Sequence, residues 1–178
     1  TVVIFTSDHG DFMGERGIML KGPLHYQGIA KVPFIWMDPG ASESGDVQSA
    51  LGSSLDISAT VLGRAGLSAF NGMQGCDLQA VMRGHVSSLR GGLLIEQDTQ
   101  AGNFGFEAPI RARTYVTERW RMSIYQGHDF AELYDLREDP YEMTNVWDSA
   151  PERGDLLRAM VDKMAALQDV SPAPTLFA

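Results

Sequence analysis

The chain has 178 residues and a mass of 19.5 kDa, enough for one compact domain or one domain with a small appendage. Apolar residues make up 44 % and charged residues 21 %, a globular composition that excludes a collagen, a coiled coil or a disordered tail. The 14 basic against 23 acidic side chains leave a formal charge of −9, which repels phosphate backbones and argues against nucleic acid as a partner.

The longest apolar runs, Val2–Phe5 and Val32–Met37, are strand-sized. A bilayer span needs roughly 20 apolar residues, so no membrane span is expected. The single cysteine, Cys76, excludes an internal disulfide framework and a cysteine-built zinc site. Neither observation settles a compartment.

The chain opens directly into the β-branched run Thr1–Thr6, which reads as a strand buried on both faces. A domain beginning in mid-strand, without initiator Met or leader, reads as a piece of a longer protein. A glycine-rich loop follows through Gly14, Gly17 and Gly22-Pro23, and Leu24–Ala30 is expected to form a helical turn or two. A second strand over Val32–Met37 stops at Asp38-Pro39-Gly40. Strand, crossover and strand in this order predict parallel pairing.

A polar loop from Ala41 to Gln48 leads to a predicted helix over Ser53–Gly66, with Leu55, Ile57, Val61, Leu62 and Ala65 at helical spacing. Asp77–Met82 is a second short helix. The last third changes character. Leu93–Glu96, Ile110–Val116, Trp120–Tyr125 and Glu132–Leu136 read as strands, the middle two joined as a hairpin across Thr117–Arg119. Pro151–Gln168 is an amphipathic helix with Leu156, Leu157, Met160, Met164 and Leu167 on one face, and Asp169–Ala178 is a loose tail.

Chemistry concentrates after the first strand. Asp8 and His9 stand at its carboxyl end, where open α/β sheets bind ligands. A carboxylate beside an imidazole suits a divalent cation, and a turn cap with a satisfied histidine is the plainer alternative. Lys21 offers a point charge to a sulfate or phosphate, or is a solvated surface lysine. His25 is a candidate proton donor to a leaving group, or a structural histidine. The stretch Glu132–Asp148 reads as a strand, a turn at Asp139-Pro140 and a cap at Asn145, which is scaffolding.

Four ordered blocks carry a resemblance. Thr6–Gly17 with Lys21-Gly22-Pro23 and Lys31–Ile35 resembles the second signature block of the type I sulfatases of the alkaline phosphatase superfamily. Ser54–Leu62, Met73–Gly84 and Glu132–Asn145 resemble that family's later blocks in the same order. Arg16 stands where the family often has His, and Cys76 where Ser or Arg is common.

The resemblance implies an α/β fold: residues 1–90 completing part of an alkaline-phosphatase-like sheet with helices, and residues 91–178 forming a small antiparallel sheet packed by a C-terminal helix. It implies that Asp8 and His9 ligate a divalent metal, Ca²⁺ first with Mn²⁺ or Mg²⁺ as alternatives, and that Lys21 contacts the substrate. His25 is carried only weakly, since the family gives its position no fixed role. The implied activity is hydrolysis of a small-molecule sulfate ester with a formylglycine nucleophile, made within a C/S-x-P-x-R motif that this chain lacks. A phosphonate monoester or phosphodiester hydrolase of the same superfamily, or a non-catalytic truncated module, are the alternatives. The uncovered edges of a strand taken from a larger sheet predict self-association of the isolated chain.

Overall fold

The structure is a computed structural model that describes residues 1–40, 45–99 and 107–169, with residues 167–169 described for their backbone only. Half of the predicted polar loop lies within this range, but its residues 41–44 do not, nor do the tail residues 170–178 and the side chain of Leu167.

The element order is β1 (Val3–Thr6), β2 (Phe12–Met13), β3 (Met19–Leu20), α1 (Gln27–Ala30), β4 (Phe34–Met37), α2 (Leu55–Arg64), α3 (Gln79–Met82), β5 (Leu93–Asp98), β6 (Arg111–Val116), β7 (Trp120–Tyr125), β8 (Ala131–Asp135) and α4 (Arg153–Asp169). A single 3₁₀ turn at Glu15–Gly17 tips the β2–β3 hairpin, which replaces the featureless glycine loop expected there.

β1 and β4 pair antiparallel, with Val3 opposite Met37 and Thr6 opposite Phe34. This corrects the parallel arrangement expected from the order of elements. A parallel pair needs a crossover that packs back on its own sheet, usually a helix. Here the intervening chain is spent on the β2–β3 hairpin and the four-residue α1, and both dock elsewhere. Nor is β1 covered on both faces within this chain, since Val3 and Phe5 are 48 % and 59 % exposed.

β5, β6, β7 and β8 form a meander in sequence order, each pair antiparallel. Side chains alternate across the pleat. One set, Tyr115, Met122 and Leu133, lies in cross-strand register and packs against Leu156 and Met160 of α4. The opposite set, Thr114, Ser123 and Glu132, is also in register, and all three are fully buried although polar. That face is covered by the segment that precedes β4: Phe12, Tyr26 and Ile29 form a second core with Tyr134, and Leu24 packs on Ile110, Ala112 and Tyr125. The small sheet is thus sandwiched between α4 and the segment carrying the candidate site.

The second and third blocks form one joint. Asp56 of α2 is fully buried and accepts the Ser53 and Cys76 amides at 2.7 and 2.8 Å, and both arms of the Arg90 guanidinium at 2.6 Å. Thr60 donates to the Asp56 carbonyl at 2.6 Å and accepts the Leu78 amide at 3.0 Å. A β-carbon on Gly75 would lie 2.0 Å from the Leu55 carbonyl oxygen, so only glycine allows this approach. No described helix is long and apolar enough to cross a membrane.

Candidate active site at the mouth of the first strand

The chain leaves β1 through Ser7, whose hydroxyl reaches the His9 carbonyl at 2.7 Å and Asp8 Oδ1 at 3.3 Å. The His9 amide donates to the same Asp8 oxygen at 3.0 Å. That amide holds the Asp8 carboxyl below the usual carboxylate range. Asp8 is therefore an anion at neutral pH, and its side chain is 85 % exposed.

His9 is turned by its own neighbour. Nδ1 lies 2.7 Å from the Gly10 carbonyl, so Nδ1 carries the proton and donates, which leaves the Nε2 lone pair free to accept. Nε2 lies 3.6 Å from Asp8 Oδ2 and 3.2 Å from Lys21 Nζ. Lys21 arrives there because the β2–β3 hairpin turns the chain back and Leu20, at φ 64, bends it again just before the lysine. Lys21, twelve residues beyond His9 and thirteen beyond Asp8, is thus brought to the same exposed mouth.

The donors fit a divalent cation. An imidazole whose second nitrogen is fixed by a carbonyl presents the tautomer that ligates, and a carboxylate oxygen stands beside it. Two side chains do not complete the six to eight ligands that Ca²⁺ takes. Among the described residues no group of three or more His, Cys, Asp or Glu side chains has metal-holding geometry.

His25 lies apart. It is 5 % exposed, and no hydrogen bond or ion pair joins it to Asp8, His9 or Lys21 among the described residues. Its Nε2 lies 2.8 Å from Gln97 Oε1 and its Nδ1 2.9 Å from Thr114 Oγ1. The donors form one directed chain. Arg121 donates to Ser123 at 2.7 Å, Ser123 to Thr114 at 2.7 Å, Thr114 to His25 Nδ1, and His25 Nε2–H to Gln97. Burial pushes the imidazole below its ordinary value, more than the Gln97 contact raises it, so the ring is neutral.

Sequence reading overlooked Tyr26 and Arg121, and treated Glu132 and Glu142 as scaffolding. Arg121 is 1 % exposed and pairs with Glu142 and Glu132. Glu132 accepts from the hydroxyls of Tyr26, Tyr125 at 2.8 Å and Tyr134 at 3.1 Å. Burial first, and then the Glu132 carboxylate, push the Tyr26 and Tyr125 hydroxyls far above their ordinary value, so both remain donors. The signal was the alternation of β7 and β8, where Arg121, Ser123, Glu132 and Tyr134 share one face.

Comparison with known proteins gives the family and the fold. The family described as N-sulphoglucosamine sulphohydrolase, C-terminal, matches residues 14–170. An arylsulfatase of Clostridium perfringens is 30 % identical over 168 residues, covering 92 % of this chain and 33 % of the relative. An N-acetylglucosamine-6-O-sulfatase of Bacteroides thetaiotaomicron is 26 % identical over 97 % of this chain and 31 % of its own length. A structure solved with its substrate D-glucosamine-2-N,6-O-disulfate superposes with a TM-score of 0.82 at 23 % identity, over 98 % of this chain and 36 % of that one. The phosphonate monoester hydrolase of Agrobacterium radiobacter gives 0.75 at 28 % identity, over 94 % and 35 %. This chain spans about a third of the relatives it matches. With a family match over most of its length and a fold shared with solved sulfatases, the chain belongs to the type I sulfatases, as a C-terminal region.

Proposed function

We propose that this chain supplies one side of the active site of a hydrolase acting on small-molecule sulfate esters. The observation that carries the reading is the meeting of Asp8, His9 and Lys21 at one mouth, with His9 Nε2 3.2 Å from Lys21 Nζ and 3.6 Å from Asp8 Oδ2.

Asp8 and His9 would hold the divalent cation, Ca²⁺ before Mn²⁺ or Mg²⁺, through a carboxylate oxygen and Nε2. A cation there supplies Lewis-acid stabilisation of charge on the transferring group. Lys21 donates to the sulfate oxygens as a point charge and sets the ester's orientation. The nucleophile, a formylglycine in this reading, lies outside these residues: Cys76 is followed by Asp-Leu-Gln and fails the C/S-x-P-x-R pattern. His25, buried and neutral, serves this site by holding its segment to the small sheet rather than by meeting the ester.

The phosphonate alternative is favoured by one observation, the 28 % identical phosphonate monoester hydrolase of like fold. The test is hydrolysis of aryl sulfates against aryl phosphonate monoesters by the native protein that carries this chain, with chelator and with Ca²⁺ or Mn²⁺ restored. Sulfate turnover that Asp8→Ala abolishes and Lys21→Ala lowers about 10²–10³-fold supports the proposal. Preference for the phosphonate supports the alternative. No hydrolysis of either ester, or near-normal turnover in Asp8→Ala, overturns both.

A further inference from the structure

We propose that Arg121 and Glu142 are positioning residues for the Asp8–His9–Lys21 mouth, acting through α1 and Gly10; this rests on the function proposed above.

Glu142 joins three parts of the molecule. One carboxylate oxygen accepts from Arg121 Nε on β7, and the other accepts the Gln27 amide at the start of α1, at 2.8 Å. Gln27 Nε2 adds a bond to the Pro140 carbonyl at 3.1 Å. No side chain at the α1 start caps it locally, so its first amide is satisfied from 115 residues away. To reach inward, Glu142 adopts φ 56, a left-handed conformation unusual outside glycine.

Arg121 is held in turn by Glu132 and by two rings, with its guanidinium 4.4 Å from the centre of Tyr26 and 4.7 Å from that of Tyr134. Tyr26 immediately precedes α1 and bonds Glu132. Two consecutive residues, Tyr26 and Gln27, are therefore pinned to the buried charges.

The far end of α1 touches the site. The Ile29 carbonyl accepts the Gly10 amide at 2.9 Å. A β-carbon on Gly10 would lie 1.9 Å from the Gly28 carbonyl oxygen, so the two backbones are in contact with no slack. Gly10 is also the residue whose carbonyl orients the His9 ring. A displacement of α1 therefore passes through Gly10 to the two candidate ligands.

Stability alone does not explain the arrangement. A buried ion pair of this kind is often no more stabilising than an apolar group of equal volume. Among the described residues Arg121 Nη2 has no hydrogen-bond partner, which such a pair would avoid if stability were its purpose. What fixed bonds to charges do supply is a defined position for α1.

Two variants of the native protein test this. Glu142→Gln keeps the shape but not the charge. Gln27→Pro deletes only the bridging amide and the Pro140 contact: it stands at the first helical residue, where proline is tolerated, and Tyr26 at ψ 158 already has the conformation that precedes proline. In both, we expect exchange of the Gly10 amide at least about tenfold faster, and Ca²⁺ or Mn²⁺ affinity about 10–100-fold weaker; the thermal midpoint stays within a few degrees of the parent in Gln27→Pro, whereas Glu142→Gln, whose amide faces two donors and leaves the buried Arg121 charge short of a partner, also lowers it. Unchanged Gly10 exchange in the folded Gln27→Pro protein overturns the proposal, as does unchanged metal affinity when the parent binds metal. If the parent neither binds metal nor cleaves either ester, the function proposed above falls, and Gly10 exchange still decides whether the clamp transmits.

Discussion

Replacing Asp56 by alanine tests the joint between α2 and the segment that follows it. The substitution removes the carboxylate that accepts both arms of Arg90, each at 2.6 Å, and orphans the Ser53 and Cys76 amides. Asp56 is fully buried and the Arg90 side chain 9 % exposed, so solvent repairs little of the loss. Removing one partner of a buried pair costs about 3–5 kcal/mol. Asp56→Asn is expected to lie close to that range, because its amide group meets donors where a carboxylate met them. The assay is urea unfolding of the native protein followed by fluorescence and circular dichroism, with coincident transitions required. The cycle is completed by Arg90→Met, singly and with Asp56→Ala. The double variant should be less destabilised than the sum of its parts, since it leaves no lone buried charge. A loss under about 1 kcal/mol for Asp56→Ala, or strict additivity with Arg90→Met, would refute the reasoning.

Gly10→Ala is expected to weaken metal binding and thermal stability together, because its β-carbon would meet the Gly28 carbonyl oxygen at 1.9 Å and no side chain can give way. Parent-like values for both would show that the backbone relaxes without consequence. His25 makes stability pH-dependent in a defined direction: burial lowers its folded affinity for a proton, so the unfolded chain takes up more protons as pH falls. That contribution is complete above about pH 6.5 and is lost as pH falls from there. Thermal midpoints between pH 8 and 5 should decline in the parent and flatten in His25→Gln, and an equal decline in both would assign the effect elsewhere. The isolated 178-residue chain should self-associate through β1 and β4, where Phe5 and Ile35 are each 59 % exposed, and a monomeric mass by light scattering across a wide concentration range would count against this.

Local signals determined much of this protein. β-branched runs, the 3.6-residue spacing of α2 and the turn residues between strands placed most elements within a few residues, because hydrophobic period and backbone preference act over short stretches. Asp8, His9 and Lys21 were joined as candidates only through the resemblance of the blocks that carry them, and the structure brings Lys21 Nζ within 3.2 Å of His9 Nε2. Pairing direction was not. Strand order is compatible with either sense, and only the docking of the intervening segment on another sheet made β1 and β4 antiparallel.

The polar face of the small sheet was equally hidden. Alternation in β6, β7 and β8 showed that Thr114, Ser123, Arg121 and Glu132 share a side, and polar residues on one side of an antiparallel sheet ordinarily meet water. Here that side is closed by Phe12, Leu24, Tyr26 and Ile29, from a segment about a hundred residues earlier. Burial turned that face into a set of charges that must be paired, and made His25, a proton-donor or structural candidate in the sequence, a neutral buried ring. The sequence by itself determined which groups were available; contacts between distant residues decided which were exposed and which were sealed from solvent, because desolvation depends on everything that covers a side chain and not on its neighbours in the chain.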